Sequence, residues 1–240
     1  MKQLALDFAS QPLPTLDNFI AGRNGELMEN LRRLSAGQAR ERFLYVWGRP
    51  ASGRSHLLKA ATTALQGAGA AAVYIACNSD TRFAEGLDRM DGVALDDVDR
   101  LDDEGQIAAF DLYNALRERN GALVAGGSAP PVQLTLREDL VTRLAWGLVY
   151  QVHALTDEEK VRALSEHAAS RGLPLPREVC DYLLTRARRD MPSLLATLDA
   201  LDRYSLETRR PVTVPLVREL LHAAAPREAG SAMRDPGSRS

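Results

Sequence analysis

The stretch Phe43-Leu44-Tyr45-Val46-Trp47-Gly48-Arg49-Pro50-Ala51-Ser52-Gly53-Arg54-Ser55 decides how the rest of the chain is read. Its first five residues are aromatic or branched, the composition of a buried strand. The next eight fit the frame G-x-x-x-x-G-K-[ST], with arginine at the lysine position. Gly48 and Gly53 let backbone N–H groups wrap phosphate oxygens, the Arg54 cation meets the β-phosphate, and the Ser55 hydroxyl is placed to ligate Mg²⁺. Pro50, Ala51 and Ser52 complete the loop, and helical character runs from His56 to Gln66. The bland alternative is a glycine-containing strand-to-helix turn with no ligand. A strand before the frame and a helix after it favour a nucleotide loop. Arg54 can hold a phosphate, but its planar fork is not a compact ammonium, so little hydrolysis is expected of this loop.

Working outward, Leu27, Leu31 and Leu34 recur at helical spacing within Asn24–Ala36. Short apolar runs at Ala72–Ala76, Gly92–Leu95, Ala122–Ala125 and Leu148–Val152 read as further strands. Between them Gln106–Arg119 reads as a helix with Ile107, Phe110, Leu112, Tyr113 and Leu116 largely on one side. Strands alternating with helices imply right-handed crossovers and a mostly parallel α/β sheet. From Thr156 the pattern turns helical. Thr156-Asp157-Glu158-Glu159 is a capping box, and helices follow near 177–188, 191–207 and 214–223. The expected fold is an α/β parallel-sheet core, residues 15–153, followed by a small all-helical lid domain, residues 154–224. Residues 225–240, rich in Gly, Pro, Ser and Arg, read as a disordered tail.

The acidic partner of the loop is expected at the end of a later strand, and Val93-Ala94-Leu95-Asp96-Asp97 fits. Asp96 is placed to hold Mg²⁺ through water, and Asp97 stands where a water-activating carboxylate would lie. Asp99, Asp102, Asp103 and Glu104 read more simply as a solvated loop and helix start. Leu101 breaks calcium-loop spacing.

The net charge of −2 over 240 residues argues against a protein that holds nucleic acid by its own electrostatics. Cys77 and Cys180 are isolated, giving neither a disulfide framework nor a zinc site, so a cytoplasmic setting is expected. No apolar run approaches the roughly 20 residues that span a bilayer. The amino terminus has no long apolar region of the secretory kind. His56, His153, His167 and His222 show no ligand spacing.

With both motifs placed, the chain resembles the DnaA/Hda family of bacterial AAA+ ATPases. The resemblance is carried by Tyr45–Arg49, Gly53–Leu58, Phe110-Asp111-Leu112-Tyr113-Asn114, Pro130-Pro131, Leu140–Gly147 and Thr156–Lys160, and runs from Leu4 to Leu221. An arginine in the phosphate loop is itself typical of the Hda-like chains. The resemblance implies bound ADP or ATP with Mg²⁺, and a role as a negative regulator of replication initiation. Gln3-Leu4-Ala5-Leu6-Asp7-Phe8, ahead of the linker that ends at residue 14, is similar to the peptide that docks on the sliding clamp, the β subunit of DNA polymerase III. Gln3 would orient it, and Leu4, Leu6 and Phe8 would fill a groove. The alternative is an amino-terminal strand turned onto the protein's own sheet. Arg143 falls where the family places an arginine finger, which would act in trans on ATP held by the initiator DnaA. A surface arginine paired with Asp139 is the plain alternative. Phe110 and Asn114, one helical turn apart, are candidates for a contact patch toward DnaA, although core packing suits Phe110 equally. A homodimer is compatible with the sequence.

The chain also departs from the family pattern. Ser128 and Ala129 precede Pro130-Pro131 where relatives carry an acid and an arginine. Pro192 stands where a second sensor arginine is expected, a position a helix's first turn tolerates. Arg189 is a neighbouring candidate for that contact. Beyond Leu221 no helix-turn-helix domain is expected, so sequence-specific DNA binding is not. The rival reading is an autonomous P-loop ATPase of the helicase-loader type. A third is an adaptor with a vestigial loop.

Overall fold

The computed structural model describes residues 13–187 and 190–224. Expectations that fall on Gln3, Leu4, Leu6, Phe8, Arg189 and the tail lie outside these residues. The chain divides into two compact units, Pro12–Ala163 and one holding Leu164–Ser240.

The first unit is built on five strands: β1 (Phe43–Trp47), β2 (Ala72–Ala76), β3 (Gly92–Asp96), β4 (Ala122–Gly127) and β5 (Leu148–Gln151). They are all parallel, in the order β2-β3-β4-β1-β5. Its helices are α1 (Gly25–Ser35), α2 (Arg54–Gly67), α3 (Asp103–Glu118) and α4 (Glu138–Trp146), with the start of α5 (Asp157–Ser170). The central strands β1, β3 and β4 carry no polar face because both faces are covered, whereas edge strand β5 leaves Val149 and Gln151 exposed. Leu44, Val46, Ala94 and Val124 pack with α1 and α2 on one face. Tyr45, Val93, Leu95, Leu123 and Ala125 pack with α3 and α4 on the other. Successive residues alternate between two cores, as the period of a strand requires.

Two expectations are corrected here. Ile107 is exposed, and the inward face of α3 is Ala109, Leu112, Tyr113 and Leu116, with Phe110 half-buried beside them. The loop also turns helical earlier than expected, so Arg54 and Ser55 belong to the first turn of α2. The capping box forms: Thr156 Oγ1 accepts from the Glu159 N–H, and Glu159 accepts from the Thr156 N–H.

The second unit carries the rest of α5 with α6 (Arg177–Arg186), α7 (Met191–Thr208) and α8 (Val214–Ala224). Leu164, Cys180, Leu183, Leu194, Leu198, Leu201, Leu216 and Val217 form its buried interior. Pro192 sits in the first turn of α7, whose cap Asp190 accepts from the Ser193 N–H. Among the described residues no helix is long and apolar enough to cross a membrane.

Candidate nucleotide site and arginine face

Parallel strands deliver their carboxyl ends to one edge of the sheet, where open α/β folds bind ligands. Here β1 ends at Trp47 in register with Gly127 of β4, and β4 carries Ala125 opposite Leu95 of β3. Gly48, Asp96 and Gly127 therefore gather at one rim, and Gly48–Ser55 turns across it into α2. The residue before α2, Gly53, has φ +97°, and a Cβ there would stand 2.8 Å from the Phe19 ring. Only glycine suits both demands. A Cβ on Gly48 would meet Ser52 Oγ at 2.6 Å. Ala51 also adopts positive φ, 63°.

Two features of this loop fit a phosphate ligand. The amino end of α2 has no side-chain cap, which leaves its first N–H groups for an anion. Ser52 is buried, and its hydroxyl has no partner among the described residues, which suits a phosphate contact. Ser55 is exposed on the first turn.

Arg54 takes a different path from the one its motif position implies. Its Nε donates to Asp96 Oδ1 at 3.0 Å and its Nη1 to the Gly127 carbonyl at 2.7 Å, with Gly48 O at 3.4 Å. Its Nη2 pairs with Asp97. Thus one guanidinium joins the ends of β1, β3 and β4. Asp97 itself lies in the left-handed region, φ 56°, and opens a short 3₁₀ turn, Val98–Arg100. The Tyr74 hydroxyl donates to Asp96 Oδ2 at 2.9 Å. Burial, and then the Asp96 carboxylate, push the Tyr74 hydroxyl well above its ordinary pKa, so it stays a donor. Tyr74 and Gly127 carry no motif signal in the sequence; strand pairing alone brings them here.

Asp99 does more than solvate a loop. It accepts from Ser128 Oγ at 2.6 Å and from the Ser128 N–H at 3.2 Å. Cys77 is buried near these acids, and burial first, then Asp96 and Asp99, push its thiol up to about 12, which leaves it inert. His56 does not turn to the loop. Its Nε2 lies 3.2 Å from the Thr15 carbonyl and its ring 5.5 Å from Phe19, so it clasps the segment before α1.

A second feature lies on α3 and α4. Arg143 Nε donates to Asn114 Oδ1 at 3.0 Å. Its guanidinium stands 4.0 Å from the Trp146 ring centre and 5.4 Å from that of Phe110. Trp146 is 57% exposed. The expected rival, pairing with Asp139, does not occur: Asp139 is held by Arg137 at 2.8 Å. Among the described residues no carboxylate forms an ion pair with Arg143. Phe110, Asn114 and Arg143 are thus one cluster.

Residues 11–151 match the family model of the bacterial DnaA ATPase domain, and residues 157–221 that of the Hda lid domain. An uncharacterized protein of Haemophilus influenzae is 34% identical over 229 residues, covering 92% of this chain and 99% of its own length. The AMPPCP-bound DnaA of Aquifex aeolicus matches with a TM-score of 0.66 at 23% identity, over 82% of this chain and 67% of that one. Domain III of the replication initiation protein DnaA from Thermotoga maritima matches with a TM-score of 0.67 at 20% identity, over 88% and 98%. At such identities the two structures speak for the fold alone.

Proposed function

The chain belongs to the DnaA/Hda family of AAA+ proteins, which makes it a DnaA-related, nucleotide-binding protein of DNA replication, and we propose that it acts as a clamp-dependent negative regulator of initiation. In this reading it holds ADP, or ATP, in the Gly48–Ser55 loop and works in the cytoplasm. It docks on the sliding clamp through Gln3, Leu4, Leu6 and Phe8. It stimulates ATP hydrolysis by DnaA through Arg143, with Phe110 and Asn114 in the contact face, and hydrolyses little nucleotide itself.

One observation carries the reading: Arg143 is held by an amide and an exposed indole rather than by a carboxylate. An arginine paired with an acid has spent its charge, whereas this one keeps it for an incoming phosphate. Its cradle leaves the guanidinium oriented, which reduces the entropy lost when it engages a neighbour's nucleotide. The engagement of Arg54 with Asp96 and Asp97 supports weak turnover by the chain alone.

The test is the rate of ATP hydrolysis by DnaA in the presence of clamp loaded on DNA. The full chain is expected to accelerate it. Arg143→Ala is expected to lose at least tenfold of that stimulation, since trans-acting fingers contribute about 10³–10⁵, while still binding the clamp. A chain lacking residues 1–8 is expected to lose the clamp and with it the stimulation. Equal stimulation by Arg143→Ala and the unaltered chain would remove Arg143 from the mechanism.

A further inference from the structure

Mg²⁺ in a phosphate loop needs a carboxylate with lone pairs to offer its waters, and Asp96 is the residue in that position. The Asp96 side chain is only 3% exposed, and both of its oxygens already accept hydrogen bonds within the fold. Oδ1 accepts from Arg54 Nε and from the Asp97 N–H, both at 3.0 Å, and Oδ2 accepts from Tyr74 at 2.9 Å. Asp97 is engaged by Arg54 and lies 3.9 Å from Arg100. Mg²⁺ demands a near-octahedral oxygen shell and keeps several waters. Setting it beside a guanidinium would also place like charges together where solvent screens them poorly. The donor set does not fit the metal, and Ser55 offers only one hydroxyl.

We infer that the Gly48–Ser55 loop takes a nucleoside diphosphate without a divalent cation, the Arg54 guanidinium fixed between Asp96, Asp97 and Gly127 neutralising the two carboxylates that a metal would otherwise use. Lysine could not fill this place, because one ammonium cannot span two carboxylates and a carbonyl in a fixed plane. A diphosphate suits the arrangement better than a triphosphate, since the metal's chief task is to bridge the β- and γ-phosphates. Ser52 and the uncapped N–H groups of α2 then meet the phosphates directly.

The inference rests on the loop being the nucleotide site, and one titration separates the two. ADP is titrated calorimetrically into the nucleotide-stripped full chain, once with excess Mg²⁺ and once with EDTA. Kd is expected to agree within about twofold between the two conditions, and Arg54→Lys, whose single ammonium cannot occupy both Asp96 and Asp97 and so leaves a carboxylate for the metal, is expected to weaken about tenfold on chelation. Loss of tenfold or more by the unaltered chain in EDTA overturns the inference and leaves the nucleotide site standing. Absence of binding in both conditions removes the site and the inference together. The comparison on the unaltered chain decides the matter whether or not Arg54→Lys folds.

Discussion

Arginine at the cation position of a phosphate loop has five donors in one plane, and that plane here closes on Asp96, Asp97 and Gly127. The pair Arg54–Asp96 is deeply buried, with side-chain exposures of 12% and 3%. Removing one partner of such a pair strands the other charge, at a cost of about 3–5 kcal/mol. Arg54→Ala is therefore expected to lower stability by that amount in urea denaturation, beyond any effect on ligand. A loss under about 1 kcal/mol would mean that the guanidinium is no part of the fold. A vestigial loop is told apart by function instead: it would retain no nucleotide on purification and leave function unchanged in Arg54→Ala. At this scale the sequence reveals only what motifs encode. Gly48, Gly53, Arg54, Asp96 and Asp97 are legible by spacing; Tyr74 is not, because β2–β3 pairing, rather than any local pattern, brings its hydroxyl to Asp96.

Elements are held to the site by single side chains, and α2 shows how. His56, in its first turn, faces the segment around Thr15 and Phe19. A carbonyl can only accept, so Nε2 carries the proton. Burial is the largest influence on His56 and lowers its pKa; the Thr15 carbonyl pulls the other way and Lys59 assists burial. The folded pKa thus lies below the unfolded value of about 6.5, so the unfolded chain binds the proton first. Stability from this group is present above about pH 6.5 and is lost as pH falls through the lower folded value. The slope for one proton is at most about 1.4 kcal/mol per pH unit. His56→Gln is expected to flatten the stability–pH curve between about pH 7 and 5, measured by denaturation at each pH. Identical slopes for both proteins would refute the coupling. Strand limits were plain in the sequence at β1 and β2, where apolar runs are cut by Gly and polar residues. Helix faces were less so: Ile107 looks apolar and inward, yet the sheet beneath α3 selects Ala109, Leu112 and Leu116 instead. The start of α2 at Arg54 was hidden because Gly53, in the left-handed region, caps by backbone alone.

Across the whole molecule, the phosphate loop and Arg143 lie in the same unit, Pro12–Ala163. The chain's two tryptophans, Trp47 and Trp146, lie in that same unit. Trp47 ends β1 immediately before Gly48, and Trp146 stacks on Arg143. Tryptophan fluorescence therefore reports the melting of the α/β unit, undiluted by the helical one. A ligand that binds only the folded state at about 100 times its Kd adds about 2.7 kcal/mol of stability. For a unit of this size each kcal/mol moves the midpoint by about 2–4 °C. Saturating ADP is thus expected to raise the fluorescence-detected Tm by roughly 5–10 °C, to the same extent with EDTA as with Mg²⁺. Arg143→Ala should show the same rise, because its cluster lies on α3 and α4, away from the loop's own contacts. An unmoved midpoint at saturating ADP would take the nucleotide out of the α/β unit. A loss of the rise in Arg143→Ala would mean instead that the arginine serves its own chain's nucleotide rather than a neighbour's.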